Sequence, residues 1–445
     1  MNFLSRSQYI TAIDFGSDTI KVVVGEHSPQ TNNLIIRAVG RASSSTCISN
    51  GLILDIESAR QCLLKALKNA GINISSNKNL FQNTIVGFEH PECMTTIEES
   101  SKEFKFPTLI TENHIAELKK NVHSTIQSKY KNEQFYTHTY IYEWFCDGVQ
   151  VYTPLTMIVK KITLRAYFCL IRELLTNNCR SCIANIPPED IRKNIMFVYT
   201  PIVLAYSTAS AVETGSGVLI IDIGKDNTSL VITQNKKIKL LETLPYGISK
   251  IASMLTLAFK TDPEESKNLV SSYGVSQEIL RKIELVCNGD KSDISTYDFD
   301  KILNLIPSQT NPVLLQNNRT IFRSEIEYIV TIGLFEIFHK IYYKHLNTHL
   351  NLFHDVILTG GGALTPNLVP LVETIFDMPG RVRVGNPINI PDIPPNTNTS
   401  LYAPVLGLLK YYYSENIQSQ RKKRHLLFLK NYFPAFIQNL LSFLF

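Results

Sequence analysis

The sequence predicts an α/β fold in which one domain has been duplicated, and three stretches predict it. Residues 10–25 read Ile-Thr-Ala-Ile-Asp-Phe-Gly-Ser-Asp-Thr-Ile-Lys-Val-Val-Val-Gly. Residues 217–233 read Gly-Val-Leu-Ile-Ile-Asp-Ile-Gly-Lys-Asp-Asn-Thr-Ser-Leu-Val-Ile-Thr. Each is an apolar strand that ends on an aspartate (Asp14, Asp222), turns at a glycine (Gly16, Gly224) and runs back as a second apolar strand. The copies lie roughly two hundred residues apart. In the third stretch a strand at 355–358 runs straight into Thr359-Gly360-Gly361-Gly362-Ala363.

The elements between these marks alternate as the fold class requires. Residues 34–40 read as a strand. Residues 55–70 read as a helix, with Ile56, Ala59, Leu63, Leu64 and Leu67 at helical spacing, an acidic start and Gly71 beyond its end. Residues 80–88 are strand-like, which completes a βββαβ order. From 89 to 165 the pattern changes to a polar helix (112–128) and strands at 136–145 and 156–166, punctuated by Gly148 and Pro154. This segment lies between two core strands and reads as an insert. Its aromatic run (Phe135, Tyr136, Tyr140, Tyr142, Trp144, Phe145) fits alternate residues facing a core better than it fits a contact surface.

Helices follow at 171–178 and 201–212, then the second hairpin, a strand at 237–244 and a helix opened by Pro245-Tyr246-Gly247. Residues 248–325 read as a second insert of helices and Asn/Gln-rich loops. Residues 324–346 read as a strong helix, with Ile326, Ile329, Ile332, Leu334, Ile337 and Ile341.

Composition narrows the function. The 445 residues suffice for two or more domains, and 44% hydrophobic against 19% charged residues is an ordinary soluble α/β balance. From Lys410 onward six basic residues (Lys410, Arg421, Lys422, Lys423, Arg424, Lys430) face one acid, Glu415. That accounts for the whole net charge of +5. The body is therefore neutral, which argues against nucleic acid and for an anionic partner at the C-terminus. Eight cysteines are scattered, and the lone CxxC pair, Cys179 and Cys182, has no second pair to complete a zinc site. Reduced thiols in a cytosolic protein are expected. No apolar signal region precedes the first strand, so export of the body by that route is not expected.

The hairpin turns carry the chemistry. Such turns leave backbone N–H groups able to bind phosphate oxygens, and an Asp at each strand end can hold a hydrated Mg²⁺ between them. One glycine hairpin alone would be an ordinary turn; the repetition favours a phosphate clamp. Three glycines at a strand end let backbone approach a planar ligand that any Cβ would block, although glycine runs also serve as plain turns.

The tail is distinct. Residues 414–420 form a polar linker and 421–424 a basic knot. On a helical wheel over 425–445, Leu426, Leu429, Phe433, Phe436, Ile437, Leu440 and Leu444 share a broad face, opposite Asn431, Ala435, Gln438 and Ser442. Pro434 either kinks one helix or opens a second. A spanning helix needs about 20 apolar residues, and Lys430, Asn431, Pro434, Gln438 and Asn439 break the run. An in-plane anchor with a basic flank fits better than a span or a core-packed helix.

In order, Asp14-Phe15-Gly16-Ser17, Asp222-Ile223-Gly224, Leu358-Thr359-Gly360-Gly361-Gly362-Ala363 and Arg381-Val382-Arg383-Val384-Gly385 resemble the actin/Hsp70 superfamily. With Ala403-Pro404-Val405-Leu406-Gly407-Leu408-Leu409 and the amphipathic tail, the chain resembles the FtsA family of bacterial actin-like cell-division proteins, as a divergent member, from about residue 9 to 445. The resemblance implies an actin/Hsp70-like ATPase fold of two lobes, each with a mixed sheet and helices, with inserted subdomains and a C-terminal amphipathic helix. It implies this partition: 8–88 plus 166–215 as the first lobe core; 89–165 as the FtsA-type insert; 216–247 plus 326–413 as the second lobe core. Beyond these come 248–325 as a partner-binding insert, 414–424 as a basic linker and 425–445 as the membrane helix.

The function implied is an ATP-binding scaffold that polymerises and tethers the FtsZ ring to the inner face of the cytoplasmic membrane at the division site. Its partners would be the FtsZ C-terminal peptide, other copies of itself, anionic lipid and other division proteins, with ATP and Mg²⁺ as cofactors and no nucleic acid. A pilus-assembly ATPase scaffold is the alternative, and a sugar-type kinase a more remote one.

Carried onto this chain, the phosphate-binding residues are Gly16, Ser17, Asp18, Thr19, Lys21, Gly224, Lys225, Asn227 and Thr228. The adenosine-binding residues are Gly360, Gly361, Gly362, Ala363 and Lys267, and the water-mediated metal residues Asp14 and Asp222. Membrane contact falls to Arg421, Lys422, Lys423, Arg424, Leu426, Leu429, Phe433, Phe436, Ile437, Leu440 and Leu444. The family's Gly-Gly-Gly-Thr turn is replaced here by Gly224-Lys225-Asp226-Asn227-Thr228. A carboxylate on Asp226 about 4 Å from a phosphate would oppose binding by roughly 4 kcal/mol at a mid-range dielectric, unless Lys225 offsets it or both side chains face solvent. Thr19 stands where many members have lysine, with Lys21 two residues on. No residue is assigned to water activation, so at most a weak ATPase is expected.

Overall fold

The computed structural model describes residues 8–28, 33–72, 78–81, 83–131, 133, 135–184, 195–287, 311–388, 390, 393–397 and 399–418. The basic knot and the amphipathic tail, with every membrane-contact residue named above, lie outside the described residues.

Two five-stranded sheets carry the same topology. In the first, the order is Ile195–Tyr199, Thr84–Phe88, Gln8–Phe15, Thr19–Ser28, Asn33–Ser43. In the second it is Val382–Val384, Asp355–Thr359, Val218–Ile223, Thr228–Gln234, Lys237–Leu244. In both, three strands meander antiparallel and two more add in parallel beside the first. The hairpins match in register: Asp14 sits opposite Lys21, and Asp222 opposite Ser229. Strands 10–15 and 218–223 are buried on both faces, which is why they read as continuous apolar runs.

The insert after the first lobe forms a separate four-stranded antiparallel sheet of Met94–Leu109, Ile158–Arg172, Phe135–Cys146 and Val149–Val151, with helix Glu112–Lys129 on one face. Its own apolar core holds Leu118, Val122, Ile126, Trp144, Ile162, Leu164 and Phe168. Strand 158–172 runs past the expected boundary at 165, because Leu170 still pairs with Met94 and Arg172 with Phe135. Residues 248–287 and 311–325, expected as a second insert, share one continuous core with the second lobe, where Ile251, Leu255, Val270, Ile279, Leu315 and Ile321 pack with Leu219, Ile326 and Leu358.

The expected helix 201–212 is broken. Leu204–Thr208 ends at Ala209 in extended backbone, and Ala211–Ser216 restarts because Ser210 and Glu213 form a capping box. Helix Ala403–Tyr412 is apolar and buried except at Lys410 and Tyr412, lying on the first-lobe sheet and against residues 204–208. Cys179 and Cys182 are free thiols in the buried face of helix Glu173–Ile183. Among the described residues no helix is long and apolar enough to cross a membrane.

Candidate functional site: a cleft between two hairpin turns

Both hairpins end at one cleft of about 990 Å³, and so does the glycine bend. Asp14, Gly16, Ser17, Asp18, Thr19 and Lys21 line it from the first lobe. Asp222, Gly224, Lys225, Asn227, Lys267, Gly360, Gly361 and Gly362 line it from the second. Strand 355–359 reaches the site because it pairs in parallel with 218–223, which sets Thr359 beside Asp222. Gly360 then turns at φ +81°, and a Cβ there would fall 2.3 Å from Asp222 Oδ1. Glycine is required at that bend on both counts.

Two expected contacts do not reach the cleft. Thr228 is fully buried at the start of the return strand, and its hydroxyl donates to the Tyr246 carbonyl at 2.7 Å. Ala363 is buried in the second-lobe core.

The charged floor of the cleft is crowded. Lys21 Nζ donates to Asp14 Oδ2 at 2.9 Å, and both side chains are buried. Burial pushes the Lys21 ammonium down, but the charge and hydrogen bond of Asp14, with Asp222 and Asp18 behind it, leave it above its ordinary value. Asp222 is raised to about 7, by burial first and then by Asp14, with Lys21 opposing. Glu89, which the sequence reading passed over, also lines the cleft. Burial and then the charge of Asp222 raise it to about 8, against the hydrogen bond it accepts from Ser229 Oγ at 2.5 Å. From Ser229 the chain of hydroxyls continues to Thr243 and then to Tyr199, under the cleft and across both lobes.

The turns themselves are braced. The carbonyls of Gly224 and Lys225 accept from the first amides of helix Ile248–Phe259, at 3.2 Å (Ile248) and 2.8 Å (Ser249). In the first lobe, Ser44 donates through its hydroxyl to the Gly16 carbonyl and through its amide to the Asp18 carbonyl, while the Gly51 amide donates to Ser17 Oγ. Asp226 does not stand free beside a phosphate position: its carboxylate accepts the Asn50 amide at 2.9 Å. Lys225 reaches the Ser45 carbonyl at 3.2 Å.

Among the described residues four buried side-chain oxygens at this cleft have no hydrogen-bond partner: Thr19 Oγ1, Thr200 Oγ1, Asp222 Oδ1 and Asn227 Oδ1. Buried polar atoms are otherwise almost always paired, so their convergence on one cavity marks a place for a polar ligand or its water. Apolar side chains line the cleft as well. Leu257 (81% exposed) and Leu364 (50% exposed) line it with Ile248, Ala252 and Val270, alongside the polar Ser253, Thr256, Lys267 and Ser271. Among the described residues no three His, Cys, Asp or Glu side chains are set to ligate a metal directly. A cation between Asp14 and Asp222 would be held through its own waters.

The arrangement has relatives. Residues 219–407 match the family model described as cell division protein FtsA. The chain is similar to the cell division protein FtsA of Streptococcus pneumoniae, with 22% identity covering 87% of this chain and 78% of that one. It is similar to FtsA of Borreliella burgdorferi at 21%, covering 93% of each, and to FtsA of Escherichia coli at 18%, covering 90% of each. Among solved structures it is similar to the PilM-PilN type IV pilus biogenesis complex, with a TM-score of 0.59 at 12% identity, covering 90% of this chain and 98% of that one. The fold is that of the actin-like ATPases.

Proposed function

Because this chain is a divergent relative of the FtsA proteins, an actin-like cell-division family, we propose that it binds ATP with Mg²⁺ between its lobes, polymerises, and tethers the FtsZ ring to the cytoplasmic membrane. One observation carries the nucleotide reading: both aspartate-ended hairpins and the glycine bend line a single cleft where four buried polar atoms lack partners among the described residues. The hairpin turns, with Thr19 and Asn227, would take the phosphates. Asp14 and Asp222 would orient the waters of a Mg²⁺, whose positive charge would offset the repulsion between the phosphates and the nearby carboxylates. Gly360 to Gly362 with Leu257 and Leu364 would take the adenosine.

Hydrolysis is expected to be slow. A base must be ionised to take a proton from water, and Glu89, raised to about 8, is mostly protonated at neutral pH. Thr200 has no basic function to offer.

Membrane attachment rests on the sequence of the tail. Seven large apolar side chains would contribute about 10–20 kcal/mol gross, and each basic residue near anionic lipid about 1 kcal/mol more. Ordering some 20 residues costs on the order of 1–2 kcal/mol apiece, less what helix hydrogen bonds recover. A single tail therefore binds reversibly, and a filament of tails firmly.

Two measurements test the proposal. Mg²⁺-ATP should bind the natural chain and bind Asp14→Ala at least tenfold more weakly; equal affinities would sink the site. Deleting residues 414–445 should abolish co-sedimentation with anionic liposomes; undiminished pelleting would remove the anchor. The likeness of fold to PilM favours one second reading, a pilus-assembly scaffold. Capture of a pilus inner-membrane peptide instead of the FtsZ C-terminal peptide would decide for it.

A further inference from the structure

Three polar contacts join the lobes across the mouth of the cleft, and each engages a residue of one of the two turns. Asp18, on the first turn, accepts from Lys267 Nζ of helix Pro263–Tyr273 at 2.5 Å. Asp226, on the second turn, accepts from the Asn50 amide, and Lys225 beside it donates to the Ser45 carbonyl. Ser45 and Asn50 belong to a loop that Ser44 and Gly51 tie to the first turn. The first turn and loop 44–51 thus form one jaw, and the second turn and helix 263–273 the other.

Among the described residues most ion pairs lie within one lobe or within the inserted sheet. The Asp18–Lys267 pair spans 249 positions and bridges the opening itself. It also engages a lysine that lines the second-lobe side of the cleft.

We propose that Asp18 is an internal competitor for Lys267, and that with the contacts of Lys225 and Asp226 it clasps the lobes together. This rests on the reading of the cleft as a nucleotide site. Entry of a nucleotide requires the clasp to open, and the polar groups of the ligand then replace Asp18 as the partner of Lys267. Both side chains are about a third exposed (Lys267 36%, Asp18 32%). A pair so wetted shifts an equilibrium severalfold and no more, so the clasp biases closure and yields to ligand. The substitution of glycines by Lys225 and Asp226 in the second turn then has a use: the turn exchanges bare backbone for side chains that reach the opposite lobe.

The test separates the clasp from nucleotide binding. Amide hydrogen exchange of residues 44–51 and 263–273 is measured without nucleotide in the natural chain, in Asp18→Asn, and in the double variant Asp18→Lys with Lys267→Asp. Association of a fluorescent ATP analogue with Mg²⁺ is measured by stopped flow in the same three. Exchange in both segments should be severalfold faster in Asp18→Asn and return to the natural rate in the swapped pair, which also excludes general unfolding. Association should be roughly three- to tenfold faster in Asp18→Asn, with an acid gone from the mouth. Unchanged exchange in both segments would overturn the clasp. Faster exchange with unchanged association would overturn the competitor role. Faster exchange with no analogue bound by any variant would uphold the clasp and overturn the nucleotide reading.

Discussion

Three carboxylates and one lysine share the floor of the cleft, too many negative charges for the burial they suffer. Asp14 keeps Lys21, while Asp222 and Glu89 hold protons to about 7 and about 8. An acid whose folded-state pKa lies above its unfolded value stabilises the fold below the unfolded value and loses that contribution as pH rises through the folded one. For Glu89 the loss runs from about 4.5 to about 8. Glu89→Gln keeps an acceptor for Ser229 and removes the charge. It should melt a few degrees higher than the natural chain at pH 9 and nearly the same at pH 5, as thermal scans at the two pH values would show. A higher melting point at pH 5 alone would reverse the argument. Glu89 carries no sequence signal of its own. It is one acid after an apolar strand, and only the approach of Ser229 and Asp222 from the other lobe makes it exceptional.

Helix Ala403–Tyr412 ties the first lobe together, and its spacing is set at Gly407. A Cβ there would sit 2.5 Å from the Val203 carbonyl oxygen and 3.2 Å from Ser207 Oγ. Gly407→Ala should therefore destabilise by about 1–3 kcal/mol, read as a lower urea midpoint. Gly215, with nothing within 4 Å of its would-be Cβ, is the control, and Gly215→Ala should be neutral or stabilising by less than about 1 kcal/mol. Equal effects would show that backbone entropy, not contact, governs both. The apolar run of this helix is plain in the sequence. The break at Ala209 and Ser210 is less so, because apolar spacing runs through it and only the Ser210–Glu213 capping box opposes continuation. Strand 158–172 overruns its expected end for a related reason: its partners, not its own residues, decide where pairing stops.

At the scale of the whole molecule, the insert touches both lobes. His138 shares a buried hydrogen bond with Tyr411 of helix Ala403–Tyr412, and Glu143 pairs with Lys237 of the second lobe at 2.5 Å. The insert is thus placed to follow lobe movement and to meet the element that leads towards the tail. If attachment is multivalent as proposed, liposome pelleting should rise steeply with protein concentration where polymer forms. It should turn shallow and salt-sensitive in any variant that stays monomeric. A shallow curve for the polymerising chain would mean that single tails suffice.

The duplication, the aspartate-ended hairpins, the glycine bend and the change of composition at the tail were all determined by the sequence alone. They are local: strand periodicity, turn chemistry and charge are properties of neighbouring residues, and each survives without knowledge of what packs against it. Partnership was decided by the tertiary structure. That Lys21 is spent on Asp14, that Asp226 turns to Asn50, that Thr228 and Ala363 face away and that Glu89 joins the floor all depend on groups distant in the chain being brought within a few ångströms. Desolvation and Coulomb energy change steeply over that distance, and no spacing along a sequence encodes it.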